Sequence, residues 1–308
     1  MAQLARLGRT DLDVFPLCLG GNVFGWTADE SDSFAVLDAY AEAGGNFIDT
    51  ANSYLVRGGE SETIIGAWMR SRGNKDRMIV ATKVGGGRTA RNLRPETIAR
   101  EAARSMERLG VDRIDLYYAH FDDPDTPQED TLRAFDELVR SGKVRHLGVS
   151  NFEPDRLLRA LEMQRAKGLA EFTVLQPHYN LVEREFERTL LPIADAWQLA
   201  VCPYYGLARG FLSGKYRPGG DGGDSPRAEA ARAYLERGGA DVLTALDEVA
   251  RAHDVPIALA WLRAHPRVVA PIASSRNVDQ LAEILPSVDV ELTPAELDRL
   301  SATTRELA

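Results

Sequence analysis

The sequence has 308 residues, enough for two average domains or one large α/β barrel, and 44% of them are hydrophobic, ample for a sizeable core. Its net charge of −9 argues against nucleic acid or an anionic membrane as the main partner, although one basic pocket could still hold an anionic ligand. The two cysteines, Cys18 and Cys202, lie in apolar runs and read as reduced core thiols; with no membrane-length apolar run and no signal pattern, the expectation is a cytoplasmic protein.

In chain order, Ala2–Phe15 comes first, with a turn-like Gly8-Arg9-Thr10-Asp11 that suggests a β-hairpin. Short apolar runs then alternate with longer stretches of helical spacing. Strands are expected at Leu17–Gly20, Asn46–Asp49, Met78–Lys83, Ile114–His120, Val144–Ser150, Phe172–Gln176, Leu199–Tyr204 and Val268–Ile272. Helices are expected near Ser31–Ala43, Glu60–Ser71, Pro95–Leu109, Pro127–Ser141, Pro154–Lys167, Glu187–Trp197, Asp241–His253 and Asn277–Leu285. Arg217 to Gly239 is rich in Gly, Pro, Asp and Arg and reads as a long lid or binding loop.

Alternating strands and helices imply βαβ units on a parallel sheet. Eight of them fit one α/β domain over residues 1–308, a (β/α)8 TIM barrel whose floor the N-terminal hairpin would close. A doubly wound sheet is the alternative, but Leu19-Gly20-Gly21-Asn22-Val23-Phe24-Gly25 lacks the GxGxxG spacing of that fold.

Polar residues gather at the strand ends, which in a parallel barrel meet at one face. Asp49 and Tyr54 follow the second strand, Lys83 ends the third and His120 the fourth. Taken singly, Asp49 could be a helix cap, Tyr54 a half-buried aromatic, Lys83 a snorkelling side chain and His120 structural. All four at adjacent strand ends make poor core filling and a plausible catalytic set. Reducing a carbonyl needs a hydride on carbon and a proton on oxygen. A free tyrosine, with a pKa of about 10, is a weak acid at neutral pH. A nearby ammonium is expected to lower that value, and a buried ammonium needs a carboxylate to hold it. Tyr54 is therefore the expected general acid/base, Lys83 its tuner, Asp49 the anchor of Lys83, and His120 the donor that orients the carbonyl. No His, Cys or carboxylate cluster has metal-ligand spacing, so no metal is expected.

Six ordered motifs sharpen this reading. Phe-Ile-Asp-Thr-Ala-Asn-Ser-Tyr (47–54), Ala-Thr-Lys-Val (81–84), Asp-Leu-Tyr-Tyr-Ala-His (115–120), Gly-Val-Ser-Asn-Phe (148–152), Leu-Gln-Pro-His-Tyr-Asn-Leu (175–181) and Gly-Phe-Leu-Ser-Gly-Lys-Tyr (210–216) together resemble the aldo-keto reductases. The resemblance implies a barrel that binds NADPH in extended form, with the catalytic tetrad at Asp49, Tyr54, Lys83 and His120. It also implies that Ser150, Asn151 and Gln176 hold the nicotinamide carboxamide and that Tyr204 stacks on the nicotinamide ring. Leu207, Arg209 and Lys215 match the pyrophosphate-covering segment, and Ser275, Arg276 and Gln280 the adenosine-phosphate end. Gly21 is placed with these cofactor residues. The fork of Arg276 suits a 2′-phosphate and so NADP over NAD. Departures are Tyr205-Gly206, where many members have Ser-Pro, and Ile284 at the adenine-contacting position.

Trp26 and Phe24 are expected as walls of an apolar substrate pocket, with a role at an interface as the alternative. The implied activity is reduction of an aldehyde or ketone, or oxidation of an alcohol or sugar. The partner is then a small carbonyl or alcohol, not nucleic acid or membrane. The alternatives are an NADP-binding regulatory subunit and a barrel enzyme using Lys83 as a Schiff-base nucleophile.

Overall fold

The computed structural model describes residues 2–55, 58–87, 92–217, 219, 228–253 and 257–304. The chain begins with a two-stranded antiparallel hairpin, β1 (Ala5–Arg6) and β2 (Asp13–Val14). Eight parallel strands follow: β3 (Cys18–Gly20), β4 (Phe47–Asp49), β5 (Ile79–Val84), β6 (Ile114–Ala119), β7 (Val144–Ser150), β8 (Phe172–Gln176), β9 (Ala200–Val201) and β10 (Ile272–Ala273). Each strand from β3 to β8 lies beside its successor, and β10 pairs with β3 through Ile272 and Cys18. The remaining edges also meet. Val201 bridges Val268, and the Val269 and Ile272 N–H groups donate to the Val201 and Pro203 carbonyls at 2.9 Å. The sheet thus curls into the (β/α)8 barrel that the strand–helix alternation implies.

Helices α1 (Glu30–Glu42), α2 (Glu60–Arg72), α3 (Pro95–Leu109), α4 (Gln128–Arg140) and α5 (Pro154–Lys167) fill the first crossovers. Pro95 and Pro154 open α3 and α5, where a missing N–H costs nothing, and left-handed Gly110 and Gly168 end them. The helix expected at Glu187–Trp197 is instead two, α6 (Glu185–Thr189) and α7 (Leu191–Trp197). Pro192 explains the break, because within one continuous helix its ring would clash with the preceding turn.

The stretch expected as a long loop contains α8 (Ala228–Glu236), held down by Tyr234 against Phe211 at 5.3 Å between ring centroids. Positions 218 and 220–227 of that stretch lie outside the described residues. Beyond it are α9 (Gly239–His253), α10 (Ala258–Arg263), α11 (Val278–Ile284) and α12 (Pro294–Ala302). Neither α10 nor α12 was expected. Five consecutive residues of α10, Ala258 to Leu262, are buried, which erases the amphipathic period. A Thr293–Glu296 capping box starts α12. No helix among the described residues is long and apolar enough to cross a membrane.

Side chains alternate across a strand, so every second residue points into the barrel. The inner layer contains Cys18, Phe47, Ala81, Leu116, Tyr118, Val174, Cys202 and Ile272. Leu7, Leu12 and Val14 of the hairpin join the same cluster and close the floor as expected. Gly8, at φ +56°, lies on the barrel rim, where a Cβ would come within 2.9 Å of the Ala200 Cβ. Near the top, Gly148 leaves room for the Tyr118 ring, into which a Cβ would project. Substituting Gly148→Ala is therefore expected to destabilise the protein by about 1–3 kcal/mol through overpacking. An unchanged midpoint in urea denaturation would contradict this account of the packing.

Candidate active site

The site is the next layer of the same alternation. Two residues beyond Cys18, Phe47, Ala81, Tyr118, Val174, Cys202 and Ile272 stand Gly20, Asp49, Lys83, His120, Gln176, Tyr204 and Ser274. Apart from Lys83, all of these line one cavity of about 350 Å³ at the C-terminal end of the barrel. Residues more than two hundred positions apart in sequence are brought together by register alone.

At the base of the site Lys83 and Asp49 form a buried ion pair. The Lys83 Nζ donates to both Asp49 carboxylate oxygens at 2.6 Å and to the Thr50 carbonyl at 2.8 Å. Its side chain is 0% exposed and that of Asp49 only 4%. Gln176 Nε2 donates to Asp49 Oδ1 at 2.8 Å. The pair is thus well supplied with the hydrogen bonds that a buried charge requires.

Tyr54 lies directly above. Its hydroxyl donates to Asp49 Oδ2 at 3.3 Å and accepts from Lys83 Nζ at 3.2 Å. The expectation that Lys83 lowers the tyrosine pKa is reversed in this arrangement. Burial, and then the negative charge of Asp49, push the phenol well above its ordinary value. Lys83 does not prevent this because its charge is already matched by Asp49 at shorter range. Tyr54 accordingly holds its proton at neutral pH. The His120 ring stands edge-on to Tyr54, with centroids 6.2 Å apart, and stacks on Phe121 at 4.8 Å.

The opposite wall is a linked polar set. Asn151, in the left-handed region at φ 53°, donates from Nδ2 to the His120 carbonyl at 2.8 Å and to Ser150 Oγ at 2.9 Å. Left-handed backbone is one that asparagine tolerates better than most residues. Its Oδ1 accepts the Tyr204 hydroxyl at 2.9 Å, and Ser150 Oγ donates to the Gln176 carbonyl.

Past Tyr204 the cavity continues along Leu207, Arg209, Lys215, Arg276 and Gln280. Arg209 stacks on the Tyr205 ring at 4.3 Å, and Gln280 Oε1 accepts the Arg276 N–H. Among the described residues, Arg209, Lys215 and Arg276 have no ion-pair partner. Three unmatched cations on one cavity in a chain of net charge −9 make a local anion cradle.

Three expected site residues lie elsewhere. Phe24 is fully buried in the outer core and does not reach the cavity, so it is not a substrate wall; Trp26, 50% exposed, does line it. Gly21 and Ser275 are also buried and absent from the wall, whereas their neighbours Gly20, Asn22, Ser274 and Arg276 form it. The strand period explains both misplacements, because a one-residue offset turns a side chain away from the barrel axis. Gly21 instead accepts the Ser61 hydroxyl on its carbonyl. Ser275 keeps a buried hydroxyl without a hydrogen-bond partner among the described residues. Phe121, Tyr205 and Ser274 were not anticipated; each adjoins a residue that was, and strand alternation pointed to Ser274. Among the described residues no group of three or more His, Cys, Asp or Glu could hold a metal. Cys18 and Cys202 are free and buried.

Comparison with known proteins agrees with this geometry. The aldo/keto reductase family model matches residues 16–305. An uncharacterized oxidoreductase, YrpG, of Bacillus subtilis is 35% identical over 94% of this chain and 92% of its own length. Norsolorinic acid reductase B of Aspergillus parasiticus is 33% identical over 93% of this chain and 80% of its own. Norsolorinic acid reductase stcV of Emericella nidulans is 34% identical over 94% and 78%. A family match across nearly the whole chain, on a barrel whose strand ends carry the expected side chains, leads to one conclusion: the chain belongs to the aldo/keto reductase family.

Proposed function

We propose that the protein is an NADP(H)-dependent oxidoreductase that reduces aldehydes or ketones, or oxidises the matching alcohols, with Tyr54 as general acid/base. The observation that carries this reading is the Tyr54 hydroxyl. It lines the cavity, its pKa is pushed up by burial and by Asp49, and it lies 3.2 Å from the Lys83 Nζ.

The cavity fits a nicotinamide dinucleotide. Arg209, Lys215 and Arg276 supply cationic donors for its phosphates, and Tyr204 offers a rigid ring for its nicotinamide. Asn151 and Gln176 carry the amide groups suited to a carboxamide. When bound, the cofactor supplies or accepts the hydride. Tyr54 gives its proton to the carbonyl oxygen, and the resulting phenolate stays within reach of the Lys83 Nζ, which stabilises the new charge. Asp49 holds the Lys83 Nζ in place through two hydrogen bonds. His120 stands beside Tyr54 and orients the carbonyl oxygen. Trp26, Tyr54, Phe121 and Tyr205 line the cavity with aromatic rings, which favours a planar, apolar carbonyl compound over a sugar. A Schiff-base role for Lys83 is disfavoured, because the residue is fully buried and does not line the cavity.

Tyr54→Phe is expected to lower carbonyl reduction by about 100-fold to 10,000-fold while leaving NADPH affinity nearly unchanged. Steady-state turnover and cofactor titration check this, and normal turnover would refute the assignment. Arg276→Ala is expected to weaken NADPH binding about tenfold or more, as loss of a charge-assisted contact does, with little effect on NADH. Equal weakening of both cofactors would show that Arg276 does not read the 2′-phosphate.

A further inference from the structure

His178 lies two residues beyond Gln176, past the end of β8. The pairing of β8 with β9 continues there: Tyr204 N–H donates to the Pro177 carbonyl at 3.0 Å, and His178 forms a parallel bridge with Tyr204. Neighbouring strands run about 4.8 Å apart, so flat side chains at one register and on one face stack. The His178 and Tyr204 rings do so, with centroids 5.2 Å apart and planes within 7°.

Tyr204 is in this way held from several directions. His178 covers one face, Asn151 accepts its hydroxyl at 2.9 Å, and the Tyr205 ring meets it edge-on at 5.2 Å. His178 is itself pinned by Tyr205, edge-on at 5.5 Å. It does not line the cavity, whereas Tyr204 does. Its Nε2 is buried with no hydrogen-bond partner among the described residues, and burial lowers its pKa, which keeps the imidazole neutral. What it offers Tyr204 is therefore a flat, uncharged face.

We propose that His178 is a positioning residue that fixes the plane of Tyr204 from behind, so that the ring is ordered as a stacking platform before any ligand binds. The functional part of this inference rests on the reading of Tyr204 as the nicotinamide platform. A platform free to tilt loses the alignment of hydride donor and carbonyl carbon, which acts on turnover more than on carbonyl affinity.

The test compares His178→Ala, which removes the backing ring, with His178→Phe, which keeps a flat ring without nitrogens. For His178→Ala, kcat should fall about tenfold with the carbonyl KM nearly unchanged. Transfer from the second face of stereospecifically deuterated NADPH should also become detectable. His178→Phe should restore kcat to near the parent value. Crystal structures of both variants without cofactor give a readout independent of the proposed activity. The Tyr204–Asn151 hydrogen bond should be lost in His178→Ala and kept in His178→Phe. A His178→Ala protein with Tyr204 unmoved, or a His178→Phe protein as displaced as His178→Ala, overturns the proposal. Displacement of Tyr204 in the His178→Ala crystals with no kinetic change would instead refute the platform reading of Tyr204.

Discussion

Two opposite charges, Lys83 and Asp49, meet at 2.6 Å inside the barrel with 0% and 4% of their side chains exposed, and the site is built around that contact. A buried pair of this kind gives little net stability, because desolvation offsets most of the attraction. Its worth is geometric and chemical. It holds an ammonium 3.2 Å from the Tyr54 hydroxyl without allowing that charge to ionise the tyrosine beforehand. Burial and Asp49 thus favour the protonated phenol in the resting site, and in the proposed reaction the positive charge would be in place for the phenolate. Gln176 and Thr50 complete the hydrogen bonding of the pair and tie it to β8 and to the end of β4.

The same alternation that buries this pair sets the rest of the cavity. Inward-facing positions carry apolar side chains in one layer and polar or aromatic ones in the next, so the floor of the site is a packed core. The hairpin seals the opposite end with Leu7, Leu12 and Val14. The cavity then extends sideways from Tyr204 to Arg209, Lys215 and Arg276, a positive strip on an acidic protein.

Much of this was legible before any coordinates. Asp49, Lys83, His120, Gln176 and Tyr204 stand out because charged or polar residues ending apolar strands have no use in a core. The barrel follows from eight strands separated by helices. Gly21 and Ser275 were misplaced for a common reason. Where a strand gives way to a loop, sequence does not reveal which of two adjacent residues faces inward, and one position is the difference between cavity and core. Helix α10 was hidden by its uniform burial, and α8 by the glycine- and proline-rich residues before it. The direction of the Tyr54 pKa was misjudged because sequence shows that Lys83 and Asp49 are present but not how closely they neutralise each other.

The central claim is that the Lys83–Asp49 pair serves chemistry and not folding. The double variant Asp49→Asn/Lys83→Met tests it directly, because it removes both charges together and leaves no lone buried ion. Measured side by side, its urea midpoint should stay close to that of the parent, as buried-pair replacements often allow. Its turnover of a carbonyl substrate with NADPH should fall by about 100-fold or more. Turnover close to the parent value in a folded double variant would contradict the account.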